Sequence, residues 1–215
     1  MTVALNQNAL TLLSTAKTYL DISATNTDYD DLVKQMINQA SALISRHTQR
    51  ILVTTEHTEF YSGRRMNSLI LNQFPIVGGP ATGNKPELFL DQSSVFTNPI
   101  DVDSYSFNSN EIIYPAFFSR GTRNIKVIYS AGLGQIDSNS GTTTLPADLE
   151  LACLDTVLWL YDSRTDRRIG KDSKSKGDES VSYAQGLPQR IVEILDGGYT
   201  RNELPAFAPV GVENR

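Results

Sequence analysis

The chain has 215 residues, enough for one domain with a substantial core or for a compact domain carrying extensions. Hydrophobic residues make up 40% and charged ones 20%, a globular rather than disordered composition, and the net charge of −5 weighs against general affinity for nucleic acid through phosphate contacts. The single cysteine, Cys153, excludes an internal disulfide framework and fits a reducing cytoplasm.

The first predicted helix spans about 12–20, with Thr11 as a nearby cap and Leu13, Ala16, Tyr19 and Leu20 as its apolar stripe. A polar Ser/Thr/Asn segment, 21–27, reads as a loop. The most regular helix follows over 29–48. Tyr29, Leu32, Val33, Met36, Ile37, Ala40, Leu43 and Ile44 keep the i, i+3, i+4, i+7 spacing of one face. Thr27 is placed to cap it, and Asp28, Asp30 and Asp31 put negative charge where the helix dipole favours it. These two helices predict an antiparallel hairpin with uncovered apolar surface.

From Ile51 the pattern becomes β. Leu52–Tyr61 is rich in Thr, Val and aromatic residues, and Ser62-Gly63 followed by Ser68–Leu71 predicts a β-hairpin. Further strands are expected at Phe74–Val77, Glu87–Leu90, Asp101–Phe107, Glu111–Tyr114 and Asn124–Ser130, with Asn108-Ser109-Asn110 as a turn and Gly78–Pro86 as a loop. The middle therefore reads as an antiparallel β-rich insertion over about 51–131.

Pro146 suits the first turn of a third helix over about 147–163. Leu151, Leu154, Val157, Leu158 and Tyr161 make one face, widened by Ala152, Cys153, Trp159 and Leu160, so this helix is expected to sit centrally, with Met36, Leu43, Leu151 and Leu158 buried. Residues 164–185 carry Arg164, Arg167, Arg168, Lys171, Lys174 and Lys176, interleaved with Asp166, Asp172 and Asp178 and preceded by Asp162, and read as a mobile, solvated loop. A last helix over about 188–196 is stopped by Gly197-Gly198. The tail, 202–215, has no helical period. Leu204, Phe207 and Val210 recur at intervals of three among Pro205 and Pro209, the pattern of an extended docking segment. The fold class is α+β: a mainly helical core, an inserted antiparallel β-rich region and an extended C-terminal tail.

No catalytic constellation emerges. His47 and His57 fall on different elements without a Cys, Asp or Glu cluster at ligand spacing, so neither metal nor cofactor is expected. Asp101 and Asp103, two apart on an expected strand, read as a solvated face rather than a general acid/base pair. Gly132-Leu133-Gly134 lacks the third glycine of a dinucleotide fingerprint and reads as a turn. Cys153 reads as a small buried hydrophobe. Met1–Leu13 has neither a basic n-region nor a sustained apolar run, so no signal peptide is expected, and no window approaches the ~20 apolar residues needed to span a bilayer.

The order of these pieces is similar to a known family. Leu13-Ser-Thr-Ala-Lys17-Thr-Tyr-Leu20-Asp-Ile22, the acidic Asp28-Tyr-Asp-Asp-Leu32 and Ala40-Ser-Ala-Leu-Ile44-Ser-Arg-His-Thr48-Gln-Arg50 resemble the opening helices of head–tail connector proteins of tailed bacteriophages. Arg123-Asn-Ile-Lys-Val-Ile-Tyr-Ser-Ala-Gly132, the Leu145-Pro146-Ala147-Asp148-Leu149 helix start, and the late Ser182-Tyr183, Leu187-Pro188, Ile191, Leu195 and Tyr199 resemble its later segments. The resemblance implies a single connector domain over 1–201 and a structural virion protein at the head–tail junction, without enzymatic activity. It also implies a dodecameric ring beneath the portal protein, joined to a downstream neck or tail protein, around a channel through which DNA passes without specific binding, and no membrane partner. On that reading Leu204, Pro205, Phe207, Pro209 and Val210 dock the portal. A dodecamer at −5 per chain would carry roughly −60, a charge that lets DNA slide without sticking. Another neck component, such as a stopper or tail-completion protein, and a glycan or small-molecule module built on β-insertion Tyr and Phe residues are the alternatives.

Overall fold

The computed structural model describes residues 2–79, 85–93, 95–137, 140–165, 173–176, 179–182 and 187–200. Among them lie four α-helices: α1 (Leu13–Tyr19), α2 (Asp30–Thr48), α3 (Ala147–Thr165) and α4 (Gln189–Asp196). Eleven strands occupy the rest: β1 (Thr55–Tyr61), β2 (Ser68–Ile70), β3 (Ile76–Gly78), β4 (Glu87–Leu90), β5 (Ser106–Phe107), β6 (Glu111–Ile113), β7 (Ile125–Ala131), β8 (Ile136–Asp137), β9 (Thr142–Thr143), β10 (Ser173–Lys176) and β11 (Glu179–Ser182).

The helices share one core, in which Val33, Ile37 and Ile44 of α2 meet Leu149, Cys153 and Val157 of α3, and Ile191 and Leu195 of α4 close it. The α2 stripe turns inward as its spacing requires, but its cap differs from expectation. No side chain caps the helix; the Thr27 carbonyl instead accepts from Asp30 N–H at 3.1 Å. The first turn is fixed from outside, by Lys17 of α1. Its buried ammonium donates to the carbonyls of Ala24 (3.1 Å) and Asn26 (2.7 Å) and to Asp30 Oδ1 (2.8 Å). One cation thus ties α1, the 21–27 loop and the acidic first turn of α2 together. Thr11 is no helix cap either: its hydroxyl reaches across to Glu150 of α3 at 3.1 Å.

The inward face of α3 is Leu149, Ala152, Cys153, Leu154, Thr156 and Val157. Leu43, Leu151 and Leu158, expected in the core, are only half-buried. The cause is visible in the sequence of α3, which is apolar nearly all round, so periodicity does not choose the face that turns inward.

The β-rich part has its own core, with Leu71, Leu88, Ile112, Phe118, Val127 and Tyr129 between two sheets. β7 is the hub of the four-stranded sheet. It pairs antiparallel with β1 from Thr55↔Ala131 to Tyr61↔Ile125, and with β3 and β4 on its other side. Its alternating burial puts Ile125, Val127, Tyr129 and Ala131 inward. The expected β1–β2 hairpin is not formed. β2 joins a second sheet of order β2-β6-β5, where β5 and β6 make the hairpin around Asn108-Ser109-Asn110. Asp101–Ser104 is not strand either. Val102–Ser104 is a 3₁₀ turn capped by Asp101, which accepts from Asp103 N–H at 3.1 Å. Two elements were not anticipated: the β8–β9 pair, and the β10–β11 hairpin inside the segment read as a mobile loop.

The two cores are joined where the chain crosses between them. A parallel bridge links Val53 to Gly134, and Leu133 N–H donates to the Leu52 carbonyl at 2.8 Å. Gly132 sits here at φ 147°, and a Cβ on it would lie 2.4 Å from Thr54 backbone. What reads as a turn is a close crossing of two backbones that only glycine admits.

Candidate interaction site

Chemistry-bearing side chains are dispersed. His47 pairs with Asp196 across α2 and α4 at 2.8 Å, whereas His57 lies in β1, 3.1 Å from Thr55 Oγ1, with its pKa lowered by burial. Asp103 reaches Lys85 at 3.3 Å instead of sharing a strand face with Asp101. Burial pushes the Cys153 thiol up to about 12, so it stays protonated beside Ser41. Among the described residues, no group of three His, Cys, Asp or Glu is placed to hold a metal ion. Nor is any described helix long and apolar enough to cross a membrane.

What the fold does build is a fixed exit for the C-terminal tail. Arg50, just past the left-handed Gln49 that ends α2, is buried, and desolvation lowers its pKa to about 10. Its guanidinium donates to the Tyr199 carbonyl at 3.2 Å and to the Phe74 carbonyl, and stacks 3.6 Å above the Phe74 ring. Tyr199 is held a second time, by its hydroxyl donating to Asp148 Oδ1 of α3 at 2.6 Å. The chain therefore leaves the helical core pinned against the 72–75 loop of the β-rich part. The residues expected to dock the portal, Leu204, Pro205, Phe207, Pro209 and Val210, lie outside the described residues, as do Arg167, Arg168 and Lys171 of the basic cluster of 164–185. In the sequence Arg50 is only a basic residue directly after a long helix, and its burial is set by the distant carbonyls of Phe74 and Tyr199.

A second feature is an open groove of about 380 Å³ between β1 and β2, lined by Phe60, Arg64, Met66, Leu69, Ile70 and Phe118. Phe60, Met66 and Ile70 are 41%, 54% and 45% exposed, unusual for apolar side chains this close together. Tyr61 also lines the groove and is half-buried, its hydroxyl donating to Glu59, whereas Tyr105 and Tyr129 are buried in the β-rich core. Tyr129 Oη accepts from Gln73 N–H at 3.0 Å and Tyr105 Oη donates to the Pro86 carbonyl.

The described residues thus build two cores, an Arg50–Tyr199–Asp148 anchor and an open apolar groove. The profile of the head completion protein family matches residues 9–199, nearly the whole chain, and the chain belongs to that family. It is a structural virion protein of the head–tail junction. Among solved structures, the chain is similar to one from the virion of a native gene transfer agent particle (15% identity, TM-score 0.56, covering 89% of this chain and 91% of that one). It is also similar to one from the neck of an empty gene transfer agent particle computed with C6 symmetry (14%, 0.56, 90% and 92%). A third comes from the neck of a native particle computed with C12 symmetry (16%, 0.53, 89% and 90%). At these identities the likeness is one of fold. No curated protein matches the chain significantly.

Proposed function

We propose that the chain forms a ring at the head–tail junction, beneath the portal and above the next neck or tail protein, around a channel for DNA. The observation that carries this reading is the family match over residues 9–199, in a chain whose fold neighbours come from virion necks treated with C6 and C12 symmetry. Those symmetries favour a dodecamer, a closed ring in which each copy offers the same two faces to its neighbours. The protein works as a joint, not an enzyme.

Its tail, 202–215, is the segment that engages the portal. Prolines at 205 and 209 favour an extended backbone and lower the entropy that docking removes, while Leu204, Phe207 and Val210 offer apolar side chains for the contact. Arg50 and the two bonds to Tyr199 set the point from which it departs. The test is attachment to portal-bearing heads lacking the protein, with negative-stain imaging of the product. Full-length chain should add a ring with a central hole, and a chain ending at residue 201 should attach much more weakly. A chain that binds tails but never heads would instead be a tail-completion protein, and equal attachment by the truncated chain would remove the tail from the contact.

A further inference from the structure

Residues 204–210 read Leu-Pro-Ala-Phe-Ala-Pro-Val, seven apolar residues in a row in a chain that is 40% hydrophobic. In an extended strand, the N–H and C=O of alternate residues point to opposite edges. Pro205 and Pro209 are both odd-numbered, so both missing donors fall on one edge. The other edge, presented by Leu204, Ala206, Ala208 and Val210, keeps all its donors. Such a strand can join a sheet on one side only, as its outermost member.

The groove offers two places for an outermost strand. Among the described residues, β1 pairs only with β7 and β2 only with β6, so each has an open edge, and the groove lies between them. Its lining contributes the exposed apolar side chains Phe60, Met66 and Ile70. The tail begins close by. Arg50 holds the carbonyls of Tyr199 and Phe74 in one guanidinium, and Ile70 is four residues from Phe74. Four extended residues span at most about 14 Å, a length that the chain between Tyr199 and Leu204 also covers. Tethering raises the tail's effective concentration at the groove to the millimolar range without any added contact.

We propose that in the free protein residues 204–210 of the same chain lie in the β1–β2 groove as an outer strand. They cover Phe60, Met66 and Ile70, bond one open edge through the even-numbered residues and turn the proline edge to solvent. The groove is thereby the resting place of the tail, and any partner that takes the tail uncovers an apolar surface. The inference concerns the free chain and stands apart from portal docking: a tail that never touches the portal can still occupy this groove.

The test is amide hydrogen exchange on dilute protein in three forms: full length, a chain ending at residue 203, and full-length Phe207→Asp. Both altered chains keep Tyr199 and its two anchors. The amides of Phe60–Tyr61 and Ser68–Ile70 should exchange about tenfold faster in both than in the full-length chain, and a synthetic peptide of residues 203–215 should restore the slow rate to the truncated one. In an Ile70→Cys, Ala206→Cys chain, a disulfide should form within single molecules, since Cys153 is buried. Equal exchange in all three forms would overturn the proposal. So would protection that grows with protein concentration, or a disulfide found only between molecules, either of which would give the groove to a second copy.

Discussion

The half-buried position of Leu158 on α3 makes a quantitative prediction against its neighbour Leu149. Leu149 is 0% exposed and belongs to the helical core. Leu149→Ala removes its transfer free energy and leaves a cavity walled by α2 and α4, a loss of about 2–5 kcal/mol for substitutions of this kind. Leu158 lies on the same helix, also reads as core in the sequence, yet is half-buried and outside that cluster. Full burial of a leucine side chain is worth about 1.5–3 kcal/mol, so partial burial with no closed cavity predicts a loss near ~1 kcal/mol for Leu158→Ala. At about 2–4 °C per kcal/mol for a chain of this size, Tm should fall by roughly 4–20 °C for Leu149→Ala and by about 2–4 °C for Leu158→Ala. Calorimetry and urea unfolding of the dilute protein, with unchanged m-values, measure both. Equal losses for the two variants would refute the assignment of the inward face of α3.

Three further outcomes are expected. Lys17→Met should destabilise by about 2–4 kcal/mol in urea unfolding, because it strands two carbonyls and the Asp30 carboxylate that now share one ammonium; a loss below ~1 kcal/mol would show that the staple is dispensable. Burial lowers the pKa of His57 in the folded chain below its ordinary value of 6.5. The unfolded chain therefore binds the extra proton first as pH falls through that value, and stability drops on acidification; His57→Gln should flatten the stability profile between about pH 7 and 5, whereas an identical slope would remove His57 as its source. The isolated chain, at a net charge of −5, should show no appreciable binding to duplex DNA at physiological salt in a fluorescence anisotropy titration, and sub-micromolar binding there would count against a channel that DNA slides through.

Elements whose pattern is local were legible in the chain itself. The α2 stripe, the Glu87–Leu90 strand, the Asn108-Ser109-Asn110 turn and the last helix all stand where periodicity and turn chemistry put them, because each is decided within a few residues. The order of those elements also carried the family, since connector-like motifs survive as a succession of helix starts and strand ends. What the tertiary structure alone decided is everything set by a distant partner. β1 pairs with β7, about 70 residues away, rather than with the adjacent β2, because only β7 supplies a seven-residue register with its inward residues in phase. Lys17 and Arg50, polar residues that sequence places at a surface, are buried because carbonyls from other elements converge on them and replace water. The inward face of α3 was chosen the same way. A helix apolar on nearly every side has no preference of its own, and α2 and α4 pack against the side that carries Leu149, Cys153 and Val157.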